Sequence, residues 1–311
     1  MADAYASTTT MSNLVKAAYD RYVEFALRSQ PMFRDLADKR PVQQAMPGSS
    51  VVFSLYQDLA AATTALTEAV DPDAVAMSNP NTVSVTLNEY GNVVLETKKL
   101  AEFSFSDVDP AIANIIAYNM ADSIDRLVVN TLVGGTNVYY GGTRTSRATV
   151  TATDTMSGAL LRKTVAKLRA GNAVPRDGML YAAYMHPEVS HDLRSETGAL
   201  AFEDIRKYTD PNVGNILNGV TGVYGGAYVV ETPRALSALD GASSARVYRT
   251  IVAGQQALAE ATAVEPGVVI GPVVDKLMRQ RPLGWYSLQG WAVYREASLY
   301  RLETGSSIAA A

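Results

Sequence analysis

The chain has 311 residues, enough for one large domain or two modest ones, and its 48% hydrophobic content supports a sizeable buried core. It has no cysteine, which removes disulfides, thiolate nucleophiles and Cys-based metal sites together. A net charge of −4 argues against a general nucleic-acid binder, which needs a basic face to displace counterions from phosphate.

No apolar run approaches the roughly 20 residues of a membrane helix, so no membrane association is expected. The start, Met1-Ala2-Asp3-Ala4-Tyr5, lacks the pattern of a signal peptide, and the expectation is a soluble protein outside the usual export route. Tyr outnumbers Phe by 17 to 6. A phenol ring packs on one side while its hydroxyl stays wet, which suits surfaces that become interfaces; a quirk of composition explains the ratio equally well.

Residues 1–10 are small and polar and predict an arm without a core. Ser12 or Asn13 caps a helix running to about Ser29, and Pro31 ends it. A second short helix is expected over Met32–Lys39. From Pro41 to Thr97 there is no Lys or Arg in 57 residues, while six carboxylates, among them Asp58, Glu68, Asp71 and Asp73, give −6. The stretch opens with the β run Val51–Tyr56 and closes with the alternating run Thr82–Asn88, followed by Tyr90–Leu95. Two β runs around a pliable centre predict a long two-stranded arm, which is marginal alone because it buries too little apolar surface. An ordinary meander in a larger sheet is the competing reading.

Asp109 as cap and Pro110 in the first turn open the strongest helix, lined by Ile112, Ile116, Met120, Ile124, Leu127 and Leu132 and stopped by Gly134-Gly135. At 1.5 Å per residue it spans roughly 36 Å, the spar of a flat domain. Further elements are a helix over Ser157–Ala170, a buried strand over Met179–Tyr184 and a short helix from His186-Pro187-Glu188. Strands are expected over Ala227–Glu231, Val247–Ala253, Gly267–Val274 and Trp285–Tyr300. Residues 235–245 predict an exposed, mobile loop.

Chemistry finds no foothold. His186 and His191 are five apart and poorly aligned on one helix face, where a zinc hydrolase wants four. Helix-start or surface histidines are the simpler reading. The Gly-rich segment Gly219–Gly226 lacks a Gly-Lys-Ser/Thr ending and reads as a turn between strands. Asp71 and Asp73 fall short of a Ca²⁺ loop. The expectation is no enzyme, no catalytic residue, no metal and no cofactor.

The order of parts, together with Gly48–Phe53, Thr64–Val70, Leu87–Asn92, Ile124-Asp125 and Gly284-Trp285, resembles the major capsid proteins of tailed bacteriophages with the α+β Hong Kong 97-like (HK97-like) fold. Among these it most resembles the relatives of the phage N4 capsid protein. The resemblance implies an N-terminal arm and helix over 1–40, an extended loop over 41–100, and a spine helix with the first part of the peripheral domain over 101–154. The axial domain would fill 155–260 and the C-terminal peripheral strands 261–311. It further implies self-assembly as pentamers and hexamers into an icosahedral virion shell around double-stranded DNA, bound without sequence specificity, after synthesis in the host cytoplasm. Portal and scaffolding proteins, and decoration proteins, would be partners. The arm would reach a neighbour through Val52, Tyr56, Leu66 and Glu68 and meet a basic surface that includes Arg279 and Arg281. A decoration or tail subunit, or a hydrolase with an unrecognised site, are the alternatives, which gel filtration separates by particle size.

Overall fold

The computed structural model describes residues 29–41, 50–55, 59–66, 68, 71, 74–77, 81–99, 108–197, 220–273 and 275–308. The expected helix over 12–29 lies almost wholly outside them. Two units are distinguished. One contains Asn92–Asn119 and Val268–Trp285; the other contains Ser29–Gly91, Met120–Gly267 and Tyr286–Ala311.

The strands in chain order are β1 (Ala37–Pro41), β2 (Ser50–Leu55), β3 (Asn81–Thr86), β4 (Asn88–Thr97), β5 (Val138–Tyr140), β6 (Tyr181–Met185), β7 (Val220–Tyr224), β8 (Ala227–Glu231), β9 (Ser237–Ala238), β10 (Val247–Ala253), β11 (Leu258–Ile270), β12 (Gln280–Val293) and β13 (Leu299–Thr304). The described α-helices are α1 (Val108–Val133), α2 (Gly158–Ala170) and α3 (Pro187–Ser195).

Seven strands form the main sheet, in the order β5-β13-β10-β6-β8-β7 with β9 beside β10. Its alternating residues face two cores. Tyr181, Ala183 and Met185 meet Leu161, Val165 and Leu168 of α2 and Val189 and Leu193 of α3. Ala182 and Tyr184 face the other way, onto Val128, Val129 and Leu132 of α1 and onto Phe33 and Leu36. Cover on both faces explains why β6 reads as an unbroken apolar run. Each fully buried Leu or Val contributes about 1.5–3 kcal/mol.

α1 begins at Val108, so Asp109 sits inside the first turn rather than ahead of it. Gly134 and Gly135 end it, donating to the carbonyls of Thr131 and Leu132. A Cβ on Gly135 would come 2.9 Å from the Leu299 side chain, so the helix stop is also a packing point. α2 is capped by Ser157 Oγ, which accepts from Leu160 N–H, and α3 by His186 Nδ1, which accepts from Glu188 N–H. Gly225 and Gly226 both have positive φ and turn β7 into β8, as expected of that Gly-rich segment.

Other expectations change too. The strand expected over Gly267–Val274 is the end of β11, which starts at Leu258 and stops at Ile270. Residues 33–36 form one 3-10 turn and then β1, not a helix to Lys39. The Phe33 N–H donates to Asp125 Oδ1 at 2.7 Å, Arg176 holds the carbonyls of Asp35 and Leu36, and β1 pairs in parallel with β11. Tertiary partners thus override a local helical pattern. The run Trp285–Tyr300 is not one strand: a turn at Glu296–Ser298 separates β12 from β13. Residues 235–245 are not a free exposed loop. Ala235 is buried, β9 pairs with β10, and Ala242 N–H donates to Val150 O at 2.8 Å.

Candidate functional site

The antiparallel ribbon β2–β3 pairs Ser50 with Thr86 through Leu55 with Asn81. Strand alternation divides it into two faces. Val51, Phe53 and Val85 turn onto Ala259, Ala261 and Tyr294, with the Phe53 and Tyr294 rings edge to face at 6.0 Å. The opposite face carries Ser54, Thr82, Ser84 and Val52, and Val52 remains 55% exposed. The ribbon's apolar face is therefore used within its own chain. Gly290 permits the approach, since a Cβ there would meet the Thr86 carbonyl oxygen at 2.1 Å.

Beyond the ribbon, the described residues 59–66 and 74–77 lie outside helix and strand. Leu66 is 78% exposed, and Leu59, Val75 and Met77 are also bare. Glu68 is exposed, while Tyr56 lies outside the described residues. Large apolar side chains thus stand bare in the same stretch as the exposed Glu68.

Arg279 follows a shaped turn. Asp275 accepts from Arg279 Nε at 2.6 Å and from Leu277 N–H, and Met278 has φ +55. The Arg279 hydrogen bond holds the Asp275 carboxyl below the usual carboxylate range. Arg279 is thus already ion-paired within its turn, and Arg281 is exposed on β12. The turn presents Leu277 and Met278, 71% and 73% exposed, to solvent.

Several other cations face inward and hold buried carboxylates. Arg34 grips Glu260, which is fully buried, through Nε and Nη2. Arg301 is 8% exposed, with Nε 2.7 Å from the Glu303 carboxylate. Glu303 is fully buried and also takes two hydrogen bonds from Arg147. These bonds raise the Arg147 pKa, whereas burial lowers that of Arg249. A third clamp holds Asp125 between Phe33 N–H and Arg234, which also bonds Asp122. Sequence reasoning missed all three. Their only trace was a carboxylate in an apolar helix face, Ile124-Asp125, and the charged alternation of Arg301 and Glu303.

His186 is half-buried at the α3 cap and His191 is 57% exposed, so the two occupy the helix-start and surface positions expected of them. Burial lowers the His186 pKa. No helix among the described residues is long and apolar enough to cross a membrane.

The phage capsid protein family matches residues 6–298 of the chain. No curated protein matches it. The fold is similar to that in the capsid asymmetric unit of cyanophage Pam1, at 15% identity and a TM-score of 0.75, covering 99% of this chain and 100% of that one. The capsid of Ralstonia phage GP4 is similar at 16% identity and a TM-score of 0.72, covering 94% and 96%. The head of Helicobacter pylori bacteriophage KHP40 gives 14% identity and a TM-score of 0.73, covering 99% of each chain. The shared fold is the Hong Kong 97-like one.

Proposed function

Since the chain belongs to the phage capsid protein family over residues 6–298, we propose that it is the major capsid protein of a tailed phage, assembling as pentamers and hexamers into an icosahedral shell around double-stranded DNA. The observation that carries this is the family match over nearly the whole chain, joined to fold likeness covering almost the full length of capsid subunits. We place it among the relatives of the phage N4 capsid protein, with no catalytic or metal role. Synthesis occurs in the host cytoplasm, and portal, scaffolding and decoration proteins are its partners.

In this reading residues 41–100 are the arm, α1 is the spine, and 155–260 form the axial domain, which takes in β5 and β13 through their sheet. The arm reaches a neighbouring copy. Val52, Tyr56 and Leu66 supply apolar contact, Glu68 supplies charge, and Arg279 and Arg281 belong to the receiving surface. A closed shell needs such reach, because each subunit must hold the next in a repeating geometry.

The test is light scattering and negative-stain microscopy of the purified protein, alone and with a scaffolding partner. Shells or capsomers are expected. A stable monomer at high concentration under both conditions would exclude the reading, and a small discrete species with hydrolytic activity would favour an enzyme.

A further inference from the structure

β5 ends the seven-stranded sheet and, among the described residues, pairs only with β13, in parallel, with Val138 opposite Arg301 and Tyr140 opposite Glu303. Arg301 N–H donates to Asn137 O, and Gly141 N–H donates to Glu303 O, each at 2.9 Å. Backbone groups alternate in direction along a strand. Asn137, Tyr139 and Gly141 therefore face β13, and Val138 and Tyr140 turn their N–H and C=O to the open edge. An edge of this kind is a template for another strand.

The open edge borders a groove of about 600 Å³, closed on its far side by the 142–145 loop and the first turns of α2. Lys163 and Arg144 line it, Arg144 ion-paired to Asp154 at 2.9 Å. Lys163 Nζ lies 4.4 Å from the Tyr139 ring centroid, which is itself stacked on Tyr300. α2 carries Arg162, Lys163, Lys167 and Arg169 and no Asp or Glu; of these Lys163 lines the groove, while Arg162 donates to the Tyr224 hydroxyl. A sheet edge beside a helix, with the exposed Lys163 at its side, is a setting in which an extended acidic segment adds as a strand.

The same chain supplies that segment. Residues 57–77 hold Asp58, Glu68, Asp71 and Asp73 and no cation. We propose that the groove between β5 and α2 binds this acidic tip from a second copy by strand addition. The proposal rests on the shell-subunit reading and deepens it. It assigns Leu66 and Glu68 to this groove and leaves Val52 and Tyr56, at the arm's base, to the surface around Arg281.

The experiment uses subunits diluted below the assembly threshold and a synthetic peptide of residues 57–77. Amide exchange is read at Val138, Tyr139 and Tyr140. Val138 and Tyr140 should slow by about tenfold or more at saturation, while Tyr139, already bonded to β13, stays unchanged. Binding should weaken as salt rises and be lost in Lys163→Glu, whose side chain is exposed. In Val138→Pro the β13 pairing survives, because the lost N–H points outward, and the peptide should again fail to bind. Unchanged exchange at Val138 and Tyr140 under peptide would overturn the proposal. So would equal protection by a short DNA duplex, which would make the groove a phosphate contact. The two readings fail separately. Shells whose Val138 and Tyr140 amides exchange as fast as in free subunits sink the groove, whereas peptide binding without shells sinks the shell function.

Discussion

His186 caps α3 with a ring nitrogen, and that bond exists only while the ring is neutral. Burial and Arg246 favour the neutral form and Glu188 opposes them, and the net effect is a lowered pKa. In the unfolded chain the ring titrates at its ordinary value, so between the two values the unfolded state binds more protons. Stability is then full above the ordinary histidine range and falls as pH drops through it. His186→Asn keeps a capping oxygen without a titrating group and should flatten the urea-midpoint curve between about pH 7 and pH 5.5. An unchanged slope would show that the cap does not sense pH. Glu303 makes a larger case. Its buried carboxylate offsets the guanidiniums of Arg147, Arg249 and Arg301. Glu303→Gln leaves them facing one another and should cost about 3–5 kcal/mol in equilibrium unfolding, the usual penalty for breaking a buried pair. A loss under about 1 kcal/mol would mean that Asp240, which pairs with Arg147 and Arg249, offsets most of the exposed charge.

At the scale of elements, the ribbon shows how packing sets what an arm can do. Phe53 and Val85 commit the apolar face to Tyr294 and β11, leaving Ser, Thr and Val52 outward. Gly290→Ala should lift the ribbon off this seat, because the new Cβ meets a backbone oxygen that cannot move alone. Limited proteolysis should then cut within residues 50–86 while the seven-stranded sheet stays intact, and a parent-like digestion pattern would refute the seat. The ribbon also shows what the sequence reveals. The alternation over Thr82–Asn88 announced a strand with one buried face, and Ser157, His186 and Gly134 announced helix ends, because these signals act locally. What Phe53 packs against was not legible. Nor were the clamps at Asp125, Glu260 and Glu303, since each joins residues some 90 to 230 positions apart whose spacing carries no period. The same blindness made residues 32–39 look like a helix.

At the scale of the whole molecule, the central asymmetry is a stretch of −6 without a cation in a chain that keeps several exposed cations elsewhere. On the proposed shell reading, carboxylates of this stretch meet a basic surface on another copy. Each exposed ion pair contributes only about 0–1 kcal/mol, and the effect therefore comes from many copies and from guided encounter. Arg279 is compromised as a receiver by its bond to Asp275, whereas reversal at Arg281 leaves that turn whole. Arg281→Glu alone and the double Arg279→Glu, Arg281→Glu variant should both lower shell yield. The deficit should be greatest at low salt and shrink as screening shortens the range of repulsion. The double variant also sets a second carboxylate against Asp275, so it should loosen the turn and expose Leu277 and Met278 further. Comparing the two variants separates electrostatic guidance from turn shape. Parent-like yield and salt dependence in a folded Arg281→Glu subunit would remove this surface from the assembly contact.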